Sequence, residues 1–121
     1  DNTGILTARR LGHLAPLPSP STKNQIDFGW QRLFMTQPTA LDIRATNDVA
    51  ALLTYAGLYL FYRANDANWQ ATFARTPRLL RLPSLQQAEA ACFSHDGRSI
   101  FITSEKKPAP LLRFDIPAHF H

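Results

Sequence analysis

A short pattern occurs twice in this chain, with the two occurrences fifty residues apart. The earlier one, over 39–55, reads Thr39-Ala-Leu-Asp-Ile-Arg-Ala-Thr-Asn-Asp-Val-Ala-Ala-Leu-Leu-Thr-Tyr55. The later one, over 88–105, reads Ala88-Glu-Ala-Ala-Cys-Phe-Ser-His-Asp-Gly-Arg-Ser-Ile-Phe-Ile-Thr-Ser-Glu105. Superposed, Ile43 meets Phe93, Asn47 meets Gly97, Ala50 meets Ile100 and Leu52 meets Ile102. Each reads as a strand, a tight turn and a second strand. A supersecondary unit that recurs at this period predicts a repeat fold, because one unit cannot bury its apolar face without a neighbour.

The remaining segments fit that plan. Residues 5–14 mix Ile5, Leu6, Ala8, Leu11 and Leu14 with Arg9 and Arg10, which predicts a strand with one wet face. Residues 15–24 hold three prolines and two serines and read as a loop. A second strand is expected over 28–35. Strands then follow over 40–45, 49–55 and 58–63, with turns at Thr46-Asn47-Asp48 and Ala56-Gly57. Trp69 and Phe73 are four apart, with Asp66 upstream and Pro77 downstream. That spacing predicts a helix over 66–75, capped by Asn65 or Asp66. Short strands over 79–82, 86–94, 99–104 and 111–116 complete the chain. The expected fold class is all-β: antiparallel four-stranded meander sheets with one short helix. The expected organisation is the end of a preceding unit plus a Pro/Ser-rich loop in 1–38. A complete unit fills 39–83, and a partial terminal unit with a tail fills 84–121.

Composition narrows the function classes. A hydrophobic fraction of 45% supplies a core, so wholesale disorder is not expected. The formal charge of +4 comes from thirteen bases against nine acids, well short of a dedicated nucleic-acid arm. Cys92 is the only cysteine, which excludes an internal disulfide and a cysteine-based zinc site. Its mid-strand position predicts a small buried apolar residue. No apolar run approaches the roughly 18 residues of a membrane helix. The chain opens at Asp1 rather than Met, so something upstream is expected to have been removed or left out.

The segment Phe93-Ser-His-Asp-Gly-Arg-Ser-Ile-Phe-Ile-Thr103 resembles the Phe-Ser-x-Asp-Gly-x-x-Ile-x-x-Thr signature of bacterial β-propeller repeats of the TolB-type and WD-like kind. The physics of the signature is an inner strand, a turn whose glycine takes positive φ without steric cost, and a second strand. Residues 39–55 match more loosely, with Asn47 where glycine is expected. The resemblance implies propeller blades, a bacterial source, and a cytoplasmic or periplasmic setting. It also implies a shortfall: complete propellers typically carry about four to eight blades. Either these are the C-terminal blades of a longer propeller, or several chains assemble into one ring, or the small sheet closes as something else. An exposed inner-strand edge would favour aggregation, so the first two rank above the third.

The function expected is a non-catalytic binding or scaffold module, with a protein or a small ligand at the blade loops. Loops 56–57, 84–88 and 105–110 are the surfaces of interest. The rival is an enzyme or lectin-like propeller using carboxylates near a central channel. For that, Glu89 and Glu105 flank the last hairpin at the end opposite Asp96-Gly97, placed to bind a metal or a ligand cation. Thr39 and Tyr55 hold the equivalent places in the other repeat, so no ring of acids is built. Arg75, Arg78 and Arg81, with Arg63 upstream and Tyr62, Trp69 and Phe73 nearby, form the clearest basic cluster. Asp48 and Asp66 dilute it, so nucleic acid is not the expected partner. Ser94-His95-Asp96 holds three triad residue types, but sequence neighbours point apart and a turn is the expected role. His119 and His121 sit on the tail without a third metal ligand, and His13 has no evident partner. No phosphate-cradling glycine loop, His-Glu-x-x-His or Gly-x-Ser-x-Gly occurs, so no cofactor is expected.

Overall fold

The computed structural model describes residues 4–18, 36–82, 88–105 and 107–117. Among these residues, seven strands and one helix follow in the order β1 (Pro38–Ile43), β2 (Val49–Thr54), β3 (Gly57–Tyr62), α1 (Trp69–Phe73), β4 (Arg78–Leu80), β5 (Ala88–Phe93), β6 (Ser99–Ser104) and β7 (Leu111–Asp115). All neighbouring strands are antiparallel. The first sheet has the order β1-β2-β3-β4 and the second β5-β6-β7. The architecture is thus mainly β, with a single short helix among the described residues.

The leading hairpins of the two sheets are built alike. Leu41↔Leu52, Asp42↔Ala51 and Ile43↔Ala50 in one become Ala91↔Ile102, Cys92↔Phe101 and Phe93↔Ile100 in the other, each shifted by 50 residues. The register irregularity repeats as well, between Pro38 and Ala40 and between Ala88 and Ala90. In the turns, Asn47 N–H donates to the Arg44 carbonyl at 2.7 Å and Gly97 N–H to the Ser94 carbonyl at 2.9 Å. Both residues take positive φ, 61° at Asn47 and 73° at Gly97, a conformation that favours asparagine and glycine.

The sheets stack in the same sense rather than face to face. Val49, Ala51, Leu53, Leu58 and Leu60 of the first sheet form one core with Ala88, Ile100, Ile102 and Ile116. The opposite face of the first sheet, Ala50, Leu52, Tyr59 and Phe61, packs on Leu17, Trp69, Phe73 and Leu79. By the 50-residue equivalence, Ala50 and Leu52 correspond to Ile100 and Ile102. The face that the second sheet lays on the first is therefore the same face that the first sheet lays on α1 and Leu17. Burial on both sides explains why β2 is apolar almost throughout, with all six residues buried, whereas β6 alternates.

Thr39, Asp42, Arg44 and Tyr55 bind the first sheet to the second. Thr39 Oγ1 donates to the Ala88 carbonyl at 2.8 Å, and the Asp42 carboxylate accepts from Phe93 N–H at 2.7 Å. The Tyr55 hydroxyl donates to Glu89.

Several expectations are corrected. Residues 5–14 form no strand; Leu6 is 95% exposed. Just beyond them Ala15 N–H donates to the Phe73 carbonyl at 2.7 Å and Tyr59 OH donates to the Pro18 carbonyl at 2.6 Å. The helix is shorter than 66–75 and its cap is Asn68, whose side chain accepts from Ala71 N–H at 2.7 Å. Asp66 instead takes positive φ, 66°, in the turn before it. Cys92 is exposed, because it shares with Ala90 the face of β5 turned away from the first sheet. The strand expected over 28–35, and His119 and His121, lie outside the described residues.

Candidate functional site

The two repeat turns and the end of β7 converge on one cleft of about 790 Å³. Arg44, Thr46 and Asp48 come from the first turn, Asp96, Gly97, Arg98 and Ser99 from the second, and Arg113, Asp115 and Ile116 from β7 and its exit. Its position follows from the stack: equivalent turns lie at the same end of both sheets, so their polar residues face one another.

Arg44 is the anchor of this cleft. It is only 8% exposed, so its charge needs partners. Nε and Nη2 donate to Asp48 at 2.9 and 2.6 Å in a bidentate pair, and Nη1 donates to the Gly97 carbonyl at 3.3 Å. Asp48 also accepts from the Thr46 hydroxyl at 2.5 Å. The Arg44 hydrogen bonds lead the causes that bring Asp48 down to about 2. The first turn thereby grips the backbone of the second.

The other two carboxylates are also occupied. Asp96 accepts from the Ser94 hydroxyl at 2.6 Å and from Arg98 N–H at 3.0 Å, which hold it below the usual range. Asp115 accepts from the Ser99 hydroxyl at 2.6 Å and from Arg113 Nε at 3.0 Å, with the same result. Three arginines and three ionised aspartates line the cleft, so their charges cancel. Such a site suits a ligand bearing both signs, or a polar peptide, more than a bare anion.

Of the residues singled out from the sequence, Asp48 and Asp96 line the cleft and the others fall elsewhere. Ser94 is committed to its turn: besides its bond to Asp96, it accepts from Ser99 N–H at 3.0 Å. Glu89 and Glu105 stand at the far end of the second sheet, where Ala88 pairs with Ser104. Tyr55 joins them; its bond to Glu89, with the charges of Glu89 and Glu105, pushes its hydroxyl pKa above the usual value. Among the described residues, no group of three or more His, Cys, Asp or Glu is placed to hold a metal.

Arg78 is an exposed residue of edge strand β4, and Arg81 is exposed just beyond it. Arg63 is engaged internally. It donates to the Asn47 and Ala67 carbonyls at 2.7 and 2.9 Å and stands 5.7 Å from the Trp69 ring. Trp69 and Phe73 stack at 5.4 Å, and Phe73 meets Phe61 at 5.0 Å, so these rings belong to the packing of α1. His13 is bonded to Arg10.

The Arg44 anchor was missed in the sequence. The only hint was Arg44 and Asp48 at either side of a turn, a spacing that surface pairs also show. No helix among the described residues is long and apolar enough to cross a membrane. Compared with protein-family models, curated proteins and solved structures, the chain matches none.

Proposed function

We propose that this chain is a non-catalytic binding or scaffold module of β-propeller type, with its ligand surface at the cleft between the repeat turns. The observation that supports this best is the repeat itself. One four-stranded meander is followed by a second hairpin in the same register, laid on it in the same sense. Such stacking is how radial sheet repeats are built. It brings the loops of successive units to common ends, where binding surfaces arise.

The chemistry of the cleft favours binding over catalysis. A general acid or base works best with a pKa near the operating pH. Here the three carboxylates are held low and stay ionised. Their partners fix their orientation, which serves recognition.

The test uses an isotope-labelled chain and backbone amide spectra during titration with a zwitterionic dipeptide, glutamyl-arginine. Shifts that saturate and are confined to residues 44–48, 96–99 and 113–116 support the reading. Thermal melts with calcium, magnesium and zinc address the carboxylate alternative. Stabilisation that saturates at low cation concentration and is lost in Glu89→Gln would replace the proposed function with the rival.

A further inference from the structure

The contact between the two sheets has two halves, and each has an equivalent elsewhere on the molecule that is at least partly exposed. Ala50 and Leu52, the counterparts of Ile100 and Ile102, are covered by α1 and Leu17, but the counterparts of the β5 residues are not. Within the chain, β5 lies against β1 and β2. Its Ala91 and Phe93 pack into the common core. By the 50-residue equivalence, Ala91 and Phe93 correspond to Leu41 and Ile43. These two lie on the face of the first sheet that α1 and Leu17 cover only over β2 and β3. On β1 they remain bare, with Leu41 51% and Ile43 38% exposed.

The receiving half also recurs. The outer face of the second sheet corresponds to the inner face of the first: Ala90 to Ala40, Phe101 to Ala51 and Leu111 to Leu58, the last by β7's place beside β6. Ala90, Cys92 and Leu111 are exposed and Phe101 is half-buried. Strand pairing places Cys92 beside Phe101, and Ala90 beside Thr103 and then Leu111, in one patch. Arg113 stands beside Phe101, where Leu60 stands in the first sheet, and Asp115 beside Ser99; both are exposed.

We propose that a second copy of this chain docks here head to tail, its β1 laying Leu41 and Ile43 on the Ala90–Cys92–Phe101 patch of the first. The new contact continues the interface that already joins the two sheets within one chain. A head-to-tail contact closes into a ring where its rotation permits. With two sheets per chain, two to four copies would reach the roughly four to eight sheets of a typical propeller. The inference rests on the repeat reading above but not on its ligand.

The contact is weaker than its intramolecular model. Thr39, Asp42, Arg44 and Tyr55 make the polar ties within the chain. Glu89, Cys92, Ser94 and Glu105 occupy the equivalent places facing the second copy, and they do not reproduce that set. Association is therefore concentration-dependent.

Light scattering on a sizing column, run from about 10 μM to about 1 mM, tests this, since the upper end reaches weak contacts. The mass should rise above 13.6 kDa to a defined multiple. Leu41→Asp and Phe101→Asp should each remain monomeric while keeping the β circular-dichroism spectrum. Ile43→Glu and Cys92→Glu replace either variant that fails to fold. An equimolar mixture of one variant from each half should form a one-to-one dimer, because each contributes the half that the other lacks. A wild-type chain that stays monomeric throughout overturns the proposal. So does association that survives in both variants, or a mixture that stays monomeric. Arg113 and Asp115 belong both to the cleft and to this patch. The ligand titration is therefore run on Leu41→Asp at about 10 μM, where docking does not contribute, and failure of the docking and failure of the binding reading are then separable.

Discussion

Replacing Gly97 by alanine tests the join between the two repeats. Gly97 has φ 73°, and the left-handed region costs a residue with a Cβ roughly 1–2 kcal/mol. The added Cβ would also stand 2.6 Å from Arg44 Cδ and 2.9 Å from Cγ, inside any normal contact. Arg44 cannot swing aside freely, since its guanidinium is held by Asp48 and by the Gly97 carbonyl. Displacing it weakens an ion pair whose acid is 45% exposed, so solvent screening limits that loss to about 1 kcal/mol. Together these give about 2–3 kcal/mol, read as a drop in urea midpoint at unchanged slope. Arg44→Ala removes the obstacle. In that background Gly97→Ala should cost only the backbone share, leaving a coupling of about 1 kcal/mol between the two sites. Equal losses in both backgrounds would refute the clash, and a neutral Gly97→Ala would refute the turn as well.

Asp48 is lowered from 3.8 to about 2 in the fold, so its contribution is present above about pH 4 and is lost as pH falls toward 2. Asp48→Asn should flatten stability over that window, with at most about 1 kcal/mol at stake after screening. Tyr55 should ionise above the usual phenol range in an ultraviolet titration, and Glu89→Gln should return it toward the ordinary value of 10.0; an unchanged titration would dissolve that hydrogen bond. Ile100→Asp places an unpaired charge in a position 1% exposed and should abolish the folded circular-dichroism spectrum; a soluble, native-like variant would show that Ile100 does not face the core. Cys92 should react with a thiol reagent in the native state as fast as a small free thiol, and slow labelling would place it inside the core.

The hairpins were legible because their information is local. An Asp-Gly turn and alternating apolar residues fix the β5–β6 hairpin, and the 50-residue spacing carried the assignment to the less regular β1–β2. What the sequence could not show came from tertiary competition. Residues 5–14 have strand-like residues but no strand to pair with among the described ones. Asn65 and Asp66 are good caps by type, yet Asn68 wins because it lies one turn closer to Trp69 and Phe73, which must reach Phe61. Cys92 sits mid-strand, but period two sends it to the uncovered face. The cleft was invisible for a related reason: Arg44 and Arg113 lie 69 positions apart and meet only through the stacking of the sheets.

Whether the two sheets stack in the same sense is decided by methyl–methyl nuclear Overhauser contacts. The account predicts contacts from Val49, Leu53 and Leu60 to Ile100 and Ile102, and from Leu52 to Leu17. Contacts from Ala50 and Leu52 to Ile100 and Ile102 would mean that the sheets pack face to face, and would contradict it.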